Sequence, residues 1–384
     1  MPSRDPVGLV LAGGGARGAY EAGVLSVLLP ALPVEQRPNI IVGASVGAIN
    51  GTYVAATVPD GGDPTLAAGR AVWEHLEWGD VSASPSLKDL ERLTRGVVNF
   101  TGLLSLDIPS LLDTSPLGKT LQRAIPFAAI AEHVANQQLI TAAVVTLSAR
   151  TGRSIVFHTG GTPDQVRDDK RGIDYVPATL NEAHVRASSA IPALFPAVRL
   201  DDGWHFDGGT RLNAPIKPAL AFGAKRVIVI GLHSIAPSTP LAGDERPDLA
   251  AGAALVLDAL LADPLVEDLQ TLTTINRLAG PERQIPYIFV APPERHTIGQ
   301  IARDVFRHHY GGLLHAARSP QLAFLGRLID ADADPLHGEL LSYLFFAREF
   351  ARALIERGRA DARAWLDQPH DDGLWDLGPL GRDR

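Results

Sequence analysis

Two short motifs near the start of the chain carry residue types suited to acyl transfer. In Gly43-Ala44-Ser45-Val46-Gly47 a serine stands between two glycines. Between a strand and a helix, this G-x-S-x-G pattern forms a sharp bend that lifts the hydroxyl clear of a sheet, and the glycines avoid clashes in the bend. Ser45 would also sit at a helix N-terminus, where developing negative charge is favoured. The plainer alternative is that Ser45 only caps that helix. Upstream lies Gly13-Gly14-Gly15-Ala16-Arg17-Gly18. Such a loop turns backbone N–H groups towards a cavity and can hold an anion, either a phosphate or the oxyanion of an acyl-transfer intermediate. The spacing also fits G-x-G-x-x-G, the pattern of a dinucleotide site. That site wants an acidic residue at the end of the second strand. Here the strand ends in Gly43-Ala44-Ser45, and Glu35 precedes it, so the oxyanion reading ranks above the dinucleotide one. A tight glycine turn without a ligand is the third option.

A serine nucleophile needs a base. The chain has 12 histidines, and none of His133, His158, His184, His205 and His233 has a distinctive local setting. Asp207 does. It ends the apolar stretch Trp204-His205-Phe206 and is followed by Gly208-Gly209, which leave room around a carboxylate. Its plainer reading is a turn aspartate, the role expected of Asp201 and Asp202.

The elements that must position these groups follow from hydrophobic patterning. Val7–Ala12 reads as a buried strand stopped by Gly13, Ala19–Leu29 as a buried helix, Asn39–Gly43 as a second strand and Val46–Ala56 as a second helix. This alternation predicts an α/β layered fold with a mostly parallel sheet. Leu66–Trp78 reads as helical. Residues 81–125 mix Ser, Pro and Gly with short apolar pieces, including Gly102–Leu112, and read as small packed helices or as a cover over a site. Strands are expected at Leu139–Leu147, Ser154–His158, Lys225–Leu232 and Tyr287–Ala291, with a hairpin over Val198–Phe206 turning at Asp201-Asp202-Gly203. Ala236–Pro247 reads as a surface loop and Thr297–Leu366 as mostly helical. Within the latter, Leu340–Ile355 reads as one helix with an apolar side, packed on the sheet domain or, as the lesser alternative, facing a membrane.

Composition removes several classes. Apolar residues make up 46% of the 384 residues, enough for a large core, so a disordered or fibrous chain is excluded. There is no cysteine, so disulfides, a thiol nucleophile and thiolate metal sites are excluded. A net charge of −8 without a basic block argues against nucleic-acid binding. No apolar run is long enough to span a membrane, and the polar start does not read as a signal peptide. No metal site is expected. Asp330-Ala331-Asp332-Ala333-Asp334 begins like a calcium loop, but Pro335 stands where Gly is needed and Leu341 where Glu is needed. His308 and His309 are adjacent and do not converge on a helix. The arginines between Arg348 and Arg363 alternate with Glu349, Glu356 and Asp361, as on a solvated helix face.

Taken together, the sequence resembles the patatin-like phospholipases, a family of lipid acyl hydrolases. The resemblance rests on Gly13–Gly18, the Gly43–Gly47 elbow, Ala187-Ser188-Ser189-Ala190-Ile191-Pro192 running to Phe195-Pro196, and Asp207-Gly208-Gly209 followed by Asn213-Ala214-Pro215. The blocks stand in the family's order and span roughly residues 7 to 235. The resemblance implies a three-layer α/β/α sandwich with a mostly parallel sheet over residues 1–295, and a helical C-terminal extension over 296–384. It implies a Ser–Asp dyad without histidine, Ser45 as nucleophile and Asp207 as base. Gly13, Gly14, Gly15, Arg17 and Gly18 would form the oxyanion hole, Gly43 and Gly47 the elbow, and Gly208 and Gly209 the loop after Asp207. No cofactor is implied. The substrate would be a lipid ester met at a membrane surface by a cytoplasmic or peripheral protein. Acyl transfer to an acceptor other than water uses the same acyl-enzyme and remains an alternative. So does a non-catalytic lipid- or nucleotide-binding module.

Overall fold

A computed structural model describes residues 5–83, 110, 112–236, 248–311, 321–322, 326 and 335–379. Its first strand, β1 (Val7–Leu11), runs into a 3-10 turn at Gly15–Arg17 and then helix α1 (Gly18–Ala31). Strand β2 (Ile40–Ala44) leads to α2 (Val46–Gly61), α3 (Asp63–His75), α4 (Trp78–Val81), α5 (Ser115–Ala124) and α6 (Ala128–Ala135). Next come β3 (Thr141–Ser148), β4 (Ser154–Gly160), β5 (Arg167–Asp168), β6 (Ile173–Pro177) and α7 (Glu182–Ser188). The hairpin β7 (Val198–Leu200) and β8 (Gly203–Asp207) precedes α8 (Ile216–Ala221) and β9 (Arg226–Ile230). The remainder holds α9 (Leu249–Leu261), α10 (Asp263–Leu278), β10 (Tyr287–Val290), α11 (Thr297–His309), α12 (Pro335–Ser342) and α13 (Arg348–Leu366).

The strands form one sheet in the order β10-β9-β1-β2-β3-β4-β6-β5, with β8 also pairing β3 and β7 pairing β8. The block from β10 to β3 is parallel throughout. Beyond β3 the sheet is mixed, since β3 meets both β4 and β8 in antiparallel register. In β1 the period of two sends Leu9 and Leu11 to one apolar core and Val10 to the other. Both faces are therefore covered, which is why these strands read as continuous apolar runs rather than alternating ones. Ala19, Leu28 and Leu354 lie in the core on the first face, Ala219, Leu265 and Leu269 in the core on the second. The result is a three-layer α/β/α sandwich, with the α/β layering that the opening alternation predicted and the form that the resemblance implied.

Several local expectations are corrected. Leu340–Ile355 is not one helix: α12 stops at Ser342 and α13 starts at Arg348. Leu344, Phe345, Phe346 and Ala347 between them are all buried. A helix turns successive side chains about 100° apart and would carry some of that run into water, whereas the irregular segment buries all four. Phe345 lies within ring-packing distance of Phe306, Tyr310 and Phe350. Leu341, Leu344, Phe345 and Ile355 belong to the core, so they face no membrane. Helices α9 and α10 and the short strands β5 and β6 were not expected. The Asp330–Asp334 motif, most of the 236–247 loop, and residues 84–109 and 111 of the expected cover lie outside the described residues. No helix among the described residues is long and apolar enough to cross a membrane.

Candidate active site

Strand β2 ends at Ala44 and α2 begins at Val46, so Ser45 alone makes the turn. Its φ of 54° and ψ of −125° are rarely adopted by a residue with a side chain, at a cost of roughly 1–3 kcal/mol that the surroundings must offset. The flanking glycines make the bend possible by close approach. A Cβ on Gly43 would stand 2.1 Å from the Gly47 carbonyl oxygen, and one on Gly47 would stand 2.2 Å from the Leu11 carbonyl oxygen. The Ser45 N–H donates to Ser188 Oγ at 2.9 Å, and Ser188 Oγ donates to the Val145 carbonyl at 2.6 Å. Ser188 therefore ties the elbow to β3.

Ser45 makes no capping bond to α2, which removes the capping alternative. Its hydroxyl donates instead to Asp207 Oδ2 at 2.6 Å. Asp207 ends β8 opposite Thr146 of β3, and its N–H donates to Ala190 O at 2.9 Å. Its other oxygen, Oδ1, accepts the Gly209 N–H at 2.7 Å. The carboxyl is buried, and burial pushes its pKa up to about 7 against the pull of the bonds from Ser45 and Gly209. Desolvation thus outweighs the hydrogen bonds.

The glycine loop closes on the same point. A Cβ on Gly13 would lie 3.0 Å from Ser45 Cβ. Asn213 holds the loop there, accepting the Gly13 N–H on Oδ1 at 2.9 Å and donating through Nδ2 to Leu261 O at 2.9 Å. The five residues placed in the oxyanion hole divide. The N–H of Gly13 is taken by Asn213, that of Arg17 by Gly14 O and that of Gly18 by Gly15 O. Gly14 and Gly15 N–H make no hydrogen bond within the described residues. Arg17 departs from expectation. Its guanidinium is buried and bonded to Ser342 Oγ at 2.8 Å, to the Leu232 carbonyl and to Glu339, so it serves the packing of the loop rather than an anion.

None of the five weighed histidines bonds to Ser45 or Asp207. His133 meets Ala55 O, His158 meets Gly160 O and His184 meets Asn181. His205 lies between Thr146 and Asp202, and His233 meets the Tyr343 hydroxyl. Beside Ser45 opens an apolar cavity, part of it open to solvent, whose walls include Val46, Ile49, Trp73, Leu117 and Phe346. Sequence reasoning assigned no role to Ser188 or Asn213. Both stood inside motif blocks, but their work depends on partners on β3 and in the glycine loop that spacing does not reveal.

The patatin-like phospholipase family profile matches residues 9–220, a span that contains the elbow, Asp207 and the glycine loop. The chain belongs to the patatin-like phospholipase family. Family membership supports lipid acyl hydrolysis in general. No curated protein matches the sequence. Among solved structures the patatin-like chain is similar to VipD from Legionella pneumophila, at 15% identity and a TM-score of 0.32. The alignment covers 76% of this chain and 62% of that one, a likeness too slight to carry an argument.

Proposed function

We propose that this patatin-like protein hydrolyses lipid acyl esters through an acyl-enzyme on Ser45, with Asp207 as the base. The observation that carries the reading is the 2.6 Å bond from Ser45 Oγ to a buried Asp207 carboxyl, beside an apolar cavity. As Ser45 Oγ forms a bond to the ester carbonyl carbon, its proton passes to Asp207 Oδ2. The carbonyl oxygen takes the negative charge and is received by the Gly14 and Gly15 N–H groups, which make no hydrogen bond among the described residues. Collapse of this intermediate breaks the ester C–O bond, and the leaving alkoxide takes the proton from Asp207. Water then attacks the acyl-enzyme and gives a proton to Asp207. Collapse returns that proton to Ser45 and releases the fatty acid.

Burial matters to this chemistry. A carboxyl at its ordinary pKa of about 3.9 is a poor base near neutrality. Raised to about 7, it matches the pH at which proton transfer is most effective. The fatty acyl chain is assigned to the apolar cavity, and the lipid arrives from a membrane surface without the protein spanning it. Labelling with a fluorophosphonate probe, mapped by mass spectrometry, tests the assignment. A label on Ser45, absent in Ser45→Ala, is the expected result. A folded protein that neither takes the label nor turns over a fatty acyl ester refutes it.

A further inference from the structure

The oxyanion loop is held from a part of the chain that lies beyond the matched family region of 9–220. The Ala16 N–H donates to the Tyr343 carbonyl at 2.9 Å. That carbonyl lies so close that a Cβ on Gly15, which has φ +60°, would stand 2.2 Å from it. Arg17, one residue on, reaches the end of α12. Its Nε donates to Ser342 Oγ at 2.8 Å and its Nη2 to the Glu339 carbonyl at 3.1 Å, and it forms an ion pair with the Glu339 carboxylate. The guanidinium carbon sits 3.9 Å from the centre of the Tyr343 ring. Its Nη1 donates to Leu232 O at 3.4 Å, and Leu232 is the residue a Cβ on Gly14 would strike. Ser342 Oγ, which accepts from Arg17, donates in turn to Glu339 O at 2.6 Å. The C-terminal end of a helix is also where a cation is favoured.

We propose that Glu339, Ser342 and Tyr343 form a clasp that positions the oxyanion loop, with Arg17 as its attachment point. Arg17 is then a positioning residue, not a donor to the oxyanion. The proposal rests on the reading that Gly14 and Gly15 receive the oxyanion. Three features separate a clasp from ordinary packing. The contacts converge on the loop from one short segment. They bring Tyr343 O hard against Gly15, at a φ of +60° where a Cβ would stand 2.2 Å from it. They also take two charges out of water, where the pair is kept only if geometry is exact enough to offset desolvation. Glu339 does further work at the far side: its Oε1 accepts the Gly299 N–H at 3.0 Å in the first turn of α11. The clasp is thus anchored to a second helix.

The test uses the whole chain with Ser342→Ala and Glu339→Gln. Arg17→Met would remove the whole guanidinium network from the loop at once and is expected to disturb the fold, so the two milder variants carry the experiment. Each is assayed for turnover of a fatty acyl ester, for affinity for a fatty alkyl trifluoromethyl ketone, and for affinity for an uncleavable ether analogue. The ketone forms a tetrahedral oxyanion on Ser45 and therefore reads the hole. The ether reads only the acyl cavity. Displacement of a catalytic group by about 1 Å costs on the order of 10²-fold, so kcat is expected to fall roughly 10- to 100-fold. Ketone affinity should fall by the same factor, with KM and ether affinity unchanged. Unchanged kcat and ketone affinity, or a fall in ether affinity equal to that of the ketone, overturns the clasp. Wild-type protein that neither turns over ester nor labels at Ser45 refutes the hydrolase reading instead, so the two failures are distinguishable.

Discussion

The raised pKa of Asp207 makes a quantitative prediction about rate. If Asp207 takes the Ser45 proton, only its ionised form is competent, and kcat/KM follows that fraction. With a pKa of about 7, the ionised fraction is about one half at pH 7, about one tenth at pH 6 and about one hundredth at pH 5. Under the ordinary carboxyl pKa of about 3.9 the same profile would be flat from pH 5 upward. The measurement is kcat/KM for a soluble fatty acyl ester from pH 5 to 8, at constant ionic strength. The rate of fluorophosphonate labelling over the same range serves as a second readout, because it reports on Ser45 without the deacylation step. Both are expected to rise about tenfold per pH unit below 7 and to level off above it. Asp207→Asn keeps the size of the side chain, removes the base, and should lose about 10²- to 10⁴-fold in rate. Its residual rate should lack the ascending limb. A wild-type profile that is flat between pH 5 and 8, or an Asp207→Asn variant with full activity, would refute the dyad.

Two further outcomes follow from the same physics. Glu21 on α1 is fully buried, with burial pushing its pKa up to about 8 against the bond from Asn50. The folded state therefore holds a proton that the unfolded chain releases near pH 4.5. Stability should fall as pH rises from there to about 8, by as much as ~1.4 kcal/mol per pH unit for each such group. Glu21→Gln should flatten this decline in thermal unfolding measured from pH 5 to 8, and an identical slope in both proteins would count against it. Ser45→Gly should melt higher than Ser45→Ala, by the equivalent of about 1 kcal/mol, since glycine adopts positive φ freely. Equal melting temperatures would mean that the elbow stores little strain.

Much of the catalytic region was legible because its signals are local. The strand–glycine–helix alternation gave the layers, and the glycines at 43 and 47 marked a close approach that only glycine permits. What escaped depended on distant partners. Ser188 is a brace only because Val145 and the Ser45 N–H lie on either side of it. The resemblance placed Arg17 in the oxyanion hole, and nothing in the loop announces Glu339 or Ser342. The false helix at Leu340–Ile355 arose from apolar residues that a helical period could accommodate, while three-dimensional burial of the whole run favoured an irregular path. Strand β6 was hidden because Asp174 breaks its apolar run, and α9 because its small residues mark no single face, whereas the period of α10, with Leu265, Leu269 and Leu272 at i, i+4 and i+7, was legible.

The position of β1 has a consequence for how the protein is made. One edge of β1 pairs with β2, which follows almost at once, but the other pairs with β9, with Val7 opposite Arg226. At about 5–20 residues per second, a ribosome needs roughly 10–40 s to deliver that partner. Through that interval a fully apolar strand presents an unpaired hydrogen-bonding edge, the feature from which aggregation starts. The nascent chain is thus exposed until residues 226–230 have emerged, and its yield in cells should respond to chaperone supply and to slower translation more than the stability of the finished fold would suggest.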